Sequence, residues 1–420
     1  MKLSPGIPAI HLYCGVALYE TKQFQEAAKC YSHAIKLDSG LGEAHNNLGN
    51  ALLELGLFKE SAESFISAAR LMPSSPVPLT TRSTALLALG RVTDAEKCCV
   101  QALEKDPNFA EAHWNLALTL LLQGRFLEGW KEYEWRWLKE AFTSPVRHTD
   151  IPIWDGSSLK GKNILLHAEQ GFGDAIQFVR YVQLVAKSGG TVVIECHPQL
   201  VTLFQEINGV SAVMPFGTHY SRCDWQAPFL TLPKIFETVL ETIPSHTPYL
   251  KVPPDRIETW RRLMANYKKQ LKIGLVWKGK NNPDPLRSCC LCDFTPLVET
   301  NAVFFTLQIG DGAEQTSRPP QGMNIVDLTT HIHDFADTAA LIEQLDLVIS
   351  IDTAVAHLAG ALGKPVFVML PYAPDWRWMI ERSDSPWYPT MRLFRQKQHG
   401  VWSSAIQEAA TALDHIQKNP

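Results

Sequence analysis

Small and apolar residues in the first third of the chain recur every 34 positions. One column holds Gly15, Gly49, Ser83 and Ala117, and another holds Leu18, Leu52, Leu86 and Leu120. In the same frame small residues recur at Ala34, Ala68 and Ala102, aromatics at Tyr31, Phe65 and Tyr133, and prolines at Pro73 and Pro107. The small residues let paired helices approach, the aromatics fill the space between successive pairs, and each proline ends a second helix because it lacks the next N–H. Four such repeats cover 8–141. From 163 the pattern becomes short apolar runs alternating with helical stretches. Strands are predicted at 163–167, 191–196 and 212–215, then at 272–277, 303–308, 347–351 and 365–370, with helices over 174–187, around 198–207 and near 255–268. Strands that alternate with helices form mostly parallel, doubly wound sheets.

The predicted organisation is therefore an α solenoid over 8–141, a linker over 142–160 marked by Pro145, Pro152, Asp155 and Gly156, and two α/β halves. The halves span 161–250 and 255–400, and a helix follows over 401–420. The 34-residue array resembles the tetratricopeptide repeat. That resemblance implies a stacked solenoid whose concave face binds a peptide or partner protein, or a scaffold with no groove in use. The fourth repeat sets Trp130, Tyr133 and Trp137 at i, i+3 and i+7, an aromatic helix face that reads as packing against the following domain rather than as a sugar platform.

Composition narrows the class without naming a partner. The chain has 420 residues, 45% apolar, and a formal net charge of −4. This suits a globular protein of roughly three domain-sized units and gives no broad electrostatic reason for nucleic acid or an anionic membrane. No run reaches the ~18 to 20 consecutive apolar residues of a spanning helix. His11 and Glu20 interrupt the one stretch that resembles a signal peptide. Nine cysteines without a regular framework suit a reducing compartment, so a cytoplasmic location is expected.

Two loops carry the candidate chemistry. Ligands of open parallel sheets sit beyond the carboxyl ends of the strands, so the loops at 169–174, 278–288, 308–314 and 352–357 should converge on a cleft between the halves. Gly171 and Gly173 suggest a dinucleotide turn, but Ile176 occupies the third glycine position and the fingerprint fails. Asp174, at a helix start, reads equally as an N-cap and as an ionised general base. In the second half, Asp352 and Thr353 close a strand and open a helix whose free N–H groups, with the Thr353 hydroxyl, suit a diphosphate. His357 lies one turn further on the same face. An isolated AspThr pair is more often a cap.

Gly173 with Asp174, the run from Ile351 to Pro365, and basic Lys278 and Arg287 resemble the ADP-heptose heptosyltransferase-like glycosyltransferases, over about 160–400. AspTrpArgTrp at 375–378 and SerProTrpTyrPro at 385–389 resemble the bacterial subgroup with tetratricopeptide repeats in front. The resemblance implies a GT-B fold of two Rossmann-like halves and inverting transfer from a nucleotide-diphosphate sugar to an acceptor hydroxyl of a protein or glycan. It implies Asp174 as general base, and Gly173, Lys278, Arg287, Asp352, Thr353 and His357 on the donor. Gln170, Gln308, Asp375, Trp376 and Arg377 are candidate acceptor or nucleobase contacts. The sugar nucleotide is a co-substrate; no cofactor and no metal is expected, since no Asp-x-Asp pair is present. Gln177 stands where heptosyltransferases often have histidine and Ala354 where they have glycine, which argues against heptose and lipopolysaccharide as substrates. The alternative is an interaction scaffold with a degenerate transferase-like domain.

Cys289, Cys290 and Cys292 lack zinc-finger spacing, and His331, His333 and Asp334 read as a capped turn. Trp376, Trp378, Trp387 and Tyr388 fit either an acceptor or nucleobase site or a packed crossover back to the first half.

Overall fold

The computed structural model describes residues 6–218, 223–280 and 285–418; residues 281–284 of the expected 278–288 loop and 419–420 of the expected last helix lie outside them. The chain divides into two compact units between Phe142 and Thr143.

The first unit is a run of helices: α1 (Pro8–Glu20), α2 (Phe24–Leu37), α3 (Gly42–Glu54), α4 (Phe58–Leu71), α5 (Val77–Ala88), α6 (Val92–Lys105), α7 (Ala110–Leu122) and α8 (Phe126–Tyr133). Within a pair, the small residue of the first helix lies under the aromatic of the second. A Cβ on Gly15 would come within 2.5 Å of the Tyr31 ring, and one on Gly49 within 2.5 Å of Phe65. The aromatics, expected between successive pairs, thus fill the seam inside their own pair. Where the ring is replaced by Cys99, the facing residue is the larger Ser83, and both are buried. Each paired turn has a left-handed residue, at Lys22, Gly56, Gly90 and Gly124, with φ of 61°, 74°, 70° and 79°. At the end of α3 this lets the Gly56 and Leu57 N–H groups bond back to Leu53 O (3.0 Å) and Leu52 O (2.9 Å). Glycine adopts that conformation without a Cβ clash.

The aromatic face of the fourth repeat is core of this unit. Trp130 and Tyr133 are buried, against Phe126 (5.6 Å between ring centroids) and Trp114 (5.0 Å) respectively. The α-helical register ends at Tyr133 and a 3₁₀ stretch runs from Glu134 to Leu138, so Trp137 turns to Phe142 at 5.2 Å.

The second unit holds two parallel sheets. The first combines β1 (Asn163–His167), α9 (Phe172–Phe178), α10 (Val182–Lys187), β2 (Thr191–Cys196), α11 (Val201–Phe204), β3 (Val210–Pro215), β4 (Trp225–Pro228) and α12 (Leu232–Ile235). Its strand order is β3-β2-β1-β4. The predicted 174–187 helix is broken: 3₁₀ turns over Val179–Tyr181 separate α9 from α10. The predicted linker is also corrected in part. Ile153 bridges Gln226 beside β4, Trp154 N–H donates to Gln226 O (2.8 Å), and the Trp154 ring is buried against Phe236.

After α13 (Pro254–Leu263), the second sheet is built from β5 (Leu271–Val276), β6 (Ala302–Thr306), β7 (Ile325–Val326), α14 (Phe335–Glu343), β8 (Leu347–Ile351), α15 (Ala354–Ala361), β9 (Val366–Leu370) and β10 (Met391–Arg395), with α16 (Ser403–Lys418) behind it. The order is β10-β9-β8-β5-β6-β7. Strands β8 and β9 are buried throughout, as covering on both faces requires. Ala405, Ile406, Ala409 and Leu413 of α16 join the core formed by Ile349, Phe367 and Met369. The connectivity reverses between β1 and β4 in one sheet and between β5 and β8 in the other, and a ligand crevice opens at such points.

Candidate functional site

The carboxyl end of β8 leads directly into α15 through Asp352 and Thr353. Thr353 is the N-cap in extended conformation (φ −145°, ψ 168°), yet its side chain makes no capping bond. Its hydroxyl lies 3.0 Å from Ser350 Oγ instead. The first N–H groups of α15 thus lack a side-chain cap and point at the switch point beside β5, a geometry that receives anions.

The start of α9 presses against this turn. A Cβ on Gly173 would be 3.1 Å from His357 Cδ2 and 3.6 Å from Ala354 Cα. Two helix amino termini, one from each half, therefore meet, and their dipoles add where they face. Asp174 follows Gly173. Its Oδ2 accepts the Gly171 N–H at 2.9 Å, and its Oδ1 is bonded to Arg377 Nη2. The side chain keeps 18% exposure. Burial pushes the carboxyl above the usual carboxylate range, with Arg377 and the Gly171 N–H pulling the other way. The N-cap reading of Asp174 is corrected: Gly171 is the N-cap and Asp174, third residue of α9, accepts the N-cap's N–H on one oxygen while Arg377 holds the other.

His357 is buried, with Nδ1 2.9 Å from the Tyr388 hydroxyl and Nε2 3.8 Å from Asp352 Oδ1. Its ring stacks on Trp378 at 5.4 Å. Burial, then the charges of Arg377, Arg180 and Arg287, hold it well below the usual imidazole range, so it is neutral at pH 7. Asp352 is pushed up to about 6 by burial and then by the nearby Asp375 carboxylate. Arg287 lies over Gly279, where a Cβ would be 3.0 Å from its Nε, and donates from Nη2 to Lys280 O at 3.1 Å. Its Nε is buried with no hydrogen-bond partner among the described residues. The Lys278 stem packs over Gly312.

Three expected acceptor or nucleobase contacts are corrected. Gln308 accepts from the N–H groups of Trp277 (3.2 Å) and Lys278 (2.9 Å) and donates to Lys278 O (3.0 Å) and Asp311 O (2.8 Å). Its amide clamps two loops and has no group left for a ligand. Trp376 is 3% exposed and packs on Phe178, with the Arg377 guanidinium 4.4 Å above its ring. Trp378, Trp387 and Tyr388 are likewise buried, so this segment is the packed crossover. Arg377 donates from Nε to Gln177 Oε1 (2.5 Å), from Nη1 to Asp375 Oδ1 (2.9 Å) and from Nη2 to Asp174, which engages every edge of its fork with protein.

Asp375 keeps 35% exposure while capping the 376–378 turn through the Arg377 N–H. Gln170 sits at the tip of the glycine loop with φ 60°; its N–H donates to Ser144 Oγ (2.8 Å) and its carbonyl lies 3.1 Å from His197 Nε2. A left-handed non-glycine residue is strained by about 1–3 kcal/mol, and such strain clusters at ligand sites. The residues missed in the sequence are Arg180 and Glu169, and Gln177, noted there only as a substitution, is the partner of Arg377 Nε. Arg180, buried, joins the halves through Trp387 O (2.7 Å) and bonds within its own half to the Tyr249 hydroxyl (3.0 Å). Glu169, at the β1/β4 switch point, accepts the Leu230 N–H at 3.2 Å. Among the described residues no cluster of three His, Cys, Asp or Glu side chains has metal-holding geometry, and no helix is long and apolar enough to cross a membrane. Asp334 caps α14 through the Asp337 N–H, as the sequence suggested.

Comparison with known proteins adds what the chain is similar to. Residues 15–56 and 80–137 match models of the tetratricopeptide repeat, and residues 297–378 match glycosyltransferase family 9 (heptosyltransferase). Protein FlbA of Caulobacter vibrioides is 30% identical over 326 residues, 71% of this chain and 54% of that protein, so the chain spans about half of its relative's length. Glycosyl transferase family 9 from Veillonella parvula DSM 2008 superposes with a TM-score of 0.47 at 10% identity, covering 61% of this chain and 97% of that one. YrrB, a TPR protein with an unusual peptide-binding site, gives a TM-score of 0.27 at 22% identity, covering 30% and 64%. The chain thus carries segments that match the tetratricopeptide repeat ahead of an α/β unit in which residues 297–378 match the glycosyltransferase family 9 (heptosyltransferase) model.

Proposed function

We propose that this protein transfers a sugar, with inversion and without a metal, from a nucleotide-diphosphate donor to an acceptor hydroxyl, and that its repeats recruit the acceptor or a partner protein. The donor diphosphate lies on the α15 amino terminus, with the Thr353 hydroxyl, Arg287 and Lys278 around it. Asp174 accepts the acceptor's proton as that oxygen bonds to the anomeric carbon. The bond from that carbon to the phosphate oxygen breaks, and the nucleoside diphosphate leaves with the electron pair. Its growing charge meets the α15 N–H groups and the Arg287 Nε, which has no partner among the described residues, donors already in place before reaction. The elevated Asp174 carboxyl is a stronger base than a free carboxylate.

The observation that supports this reading is the approach of Gly173 to His357, which sets the start of α9, with Asp174, against the start of α15. Donor hydrolysis or transfer by the purified full chain tests it. Asp174→Asn should lower kcat by ~10²–10⁴-fold, the usual contribution of a general base. An Asp174→Asn protein with full activity removes that residue from its role.

A second reading is favoured by the same carboxylate: both Asp174 oxygens already bond within the protein, as in a scaffold whose transferase-like unit has lost its chemistry. Calorimetry against a panel of nucleotide sugars separates the two. Binding that Arg287→Ala abolishes supports the enzyme; no binding to any donor supports the scaffold.

A further inference from the structure

The side chain that grips Asp174 comes from 203 residues away. Arg377 reaches α9 at two points, Asp174 and Gln177, which lie three apart on one helix face. Asp375 braces the other edge of the fork, and the Trp376 ring supports its plane. The Arg377 side chain is 10% exposed and Gln177 is fully buried, so water competes little for these bonds. A planar guanidinium held at three edges and stacked on a ring has one orientation.

We infer that Arg377 is the positioning residue of the general base: it fixes one rotamer of Asp174 and favours its charged form. The inference rests on the reading of Asp174 as the base. Burial raises the pKa of that carboxyl and the adjacent cation lowers it, so Arg377 favours the charged form that accepts a proton. Gln177, neutral at the second contact, orients the fork without adding a charge that would compete with Asp174. Arg377 thereby sets the acid limb of the pH profile, a task beyond joining two halves of a fold.

The experiment compares kcat/KM against pH for the full-length wild type, Arg377→Gln and Arg377→Lys. Loss of the cation raises the Asp174 pKa, so the acid limb of Arg377→Gln should move up by about 1 pH unit or more, the scale of a lost adjacent charge. Arg377→Lys should recover most of that shift while keeping a lower kcat, because an ammonium cannot hold Gln177 and Asp375 together. A limb that stays in place while kcat falls overturns the inference and leaves Arg377 a structural tie. Unfolding of Asp174→Asn, Arg377→Gln and the double variant supplies a test independent of turnover. The double variant should lose little more than Arg377→Gln alone; strictly additive losses show no coupling and also overturn it. Coupling intact in a protein with no transferase activity would fault the base reading while leaving the pair.

Discussion

Gly173 stands against the imidazole of His357, so closely that a Cβ would lie 3.1 Å from Cδ2. Gly173 lies on α9 and His357 on α15, helices that follow strands of the two different sheets, and this approach joins the two helix starts. Glycine is required by the neighbouring side chain rather than by its own dihedral angles. His357 cannot retreat, because Trp378 backs its ring and the Tyr388 hydroxyl holds Nδ1.

Gly173→Ala should therefore separate the two helix starts by a few tenths of an ångström, at about 1–3 kcal/mol, the range for overpacking. Donor affinity and kcat should fall together, at least ~10-fold, while circular dichroism is unchanged. Unaltered kinetics would mean that the contact does not govern the site.

In the repeat unit, the Gly49 and Phe65 pair makes a steric prediction. Gly49→Ala drives a methyl into the ring at 2.5 Å and should cost about 1–3 kcal/mol in thermal or denaturant unfolding. Phe65→Leu in that background should regain part of it. If Gly49→Ala is neutral, the seam is looser than its distances indicate.

The pattern along the chain made much of this architecture legible. The 34-residue period located the array, and long apolar runs revealed β1, β2, β5, β8 and β9. β4 was missed because four residues ending at Pro228 carry too little pattern, and β10 because Arg392 and Arg395 interrupt its apolar residues. For the site, the helix-start chemistry of Asp174 and Thr353 could be read locally. The grip of Arg377 could not, since no local signal links Gln177 to a partner 200 residues on. Gln308 shows the converse: a polar residue after a strand resembles a ligand contact, and only its four bonds to backbone reveal a clamp.

Asp352 should destabilise the folded protein at neutral pH. Its folded pKa, about 6, lies above its ordinary value of 3.8, so the folded state holds its proton more tightly and stability falls as pH rises from about 4 to about 6. Asp352→Asn should raise stability at pH 7.5 by about 1–3 kcal/mol, the equivalent of one to two pKa units, and have little effect at pH 4. Donor binding should weaken in the same variant. Equal stability changes at both pH values would contradict the assignment.

His167 acts in the opposite sense. Buried beside Gln226 at 2.9 Å, it titrates at about 4 when folded, against an ordinary 6.5, mainly through burial. The unfolded chain gains the proton first, so stability is lost as pH falls from about 6.5 to about 4. His167→Gln should flatten that slope by up to about 1.4 kcal/mol per pH unit, read from denaturant midpoints across pH. An unchanged slope would show that His167 is not the group responsible.

The central claim is that one crevice holds both the base and the diphosphate site. A crystal structure of the full chain soaked with nucleoside diphosphates of each common base measures this directly. The account predicts phosphate oxygens within hydrogen-bond distance of the first α15 N–H groups and of Arg287, with open space for a sugar between them and Asp174. A diphosphate bound at any other place, or a filled α15 start that excludes it, would contradict the account.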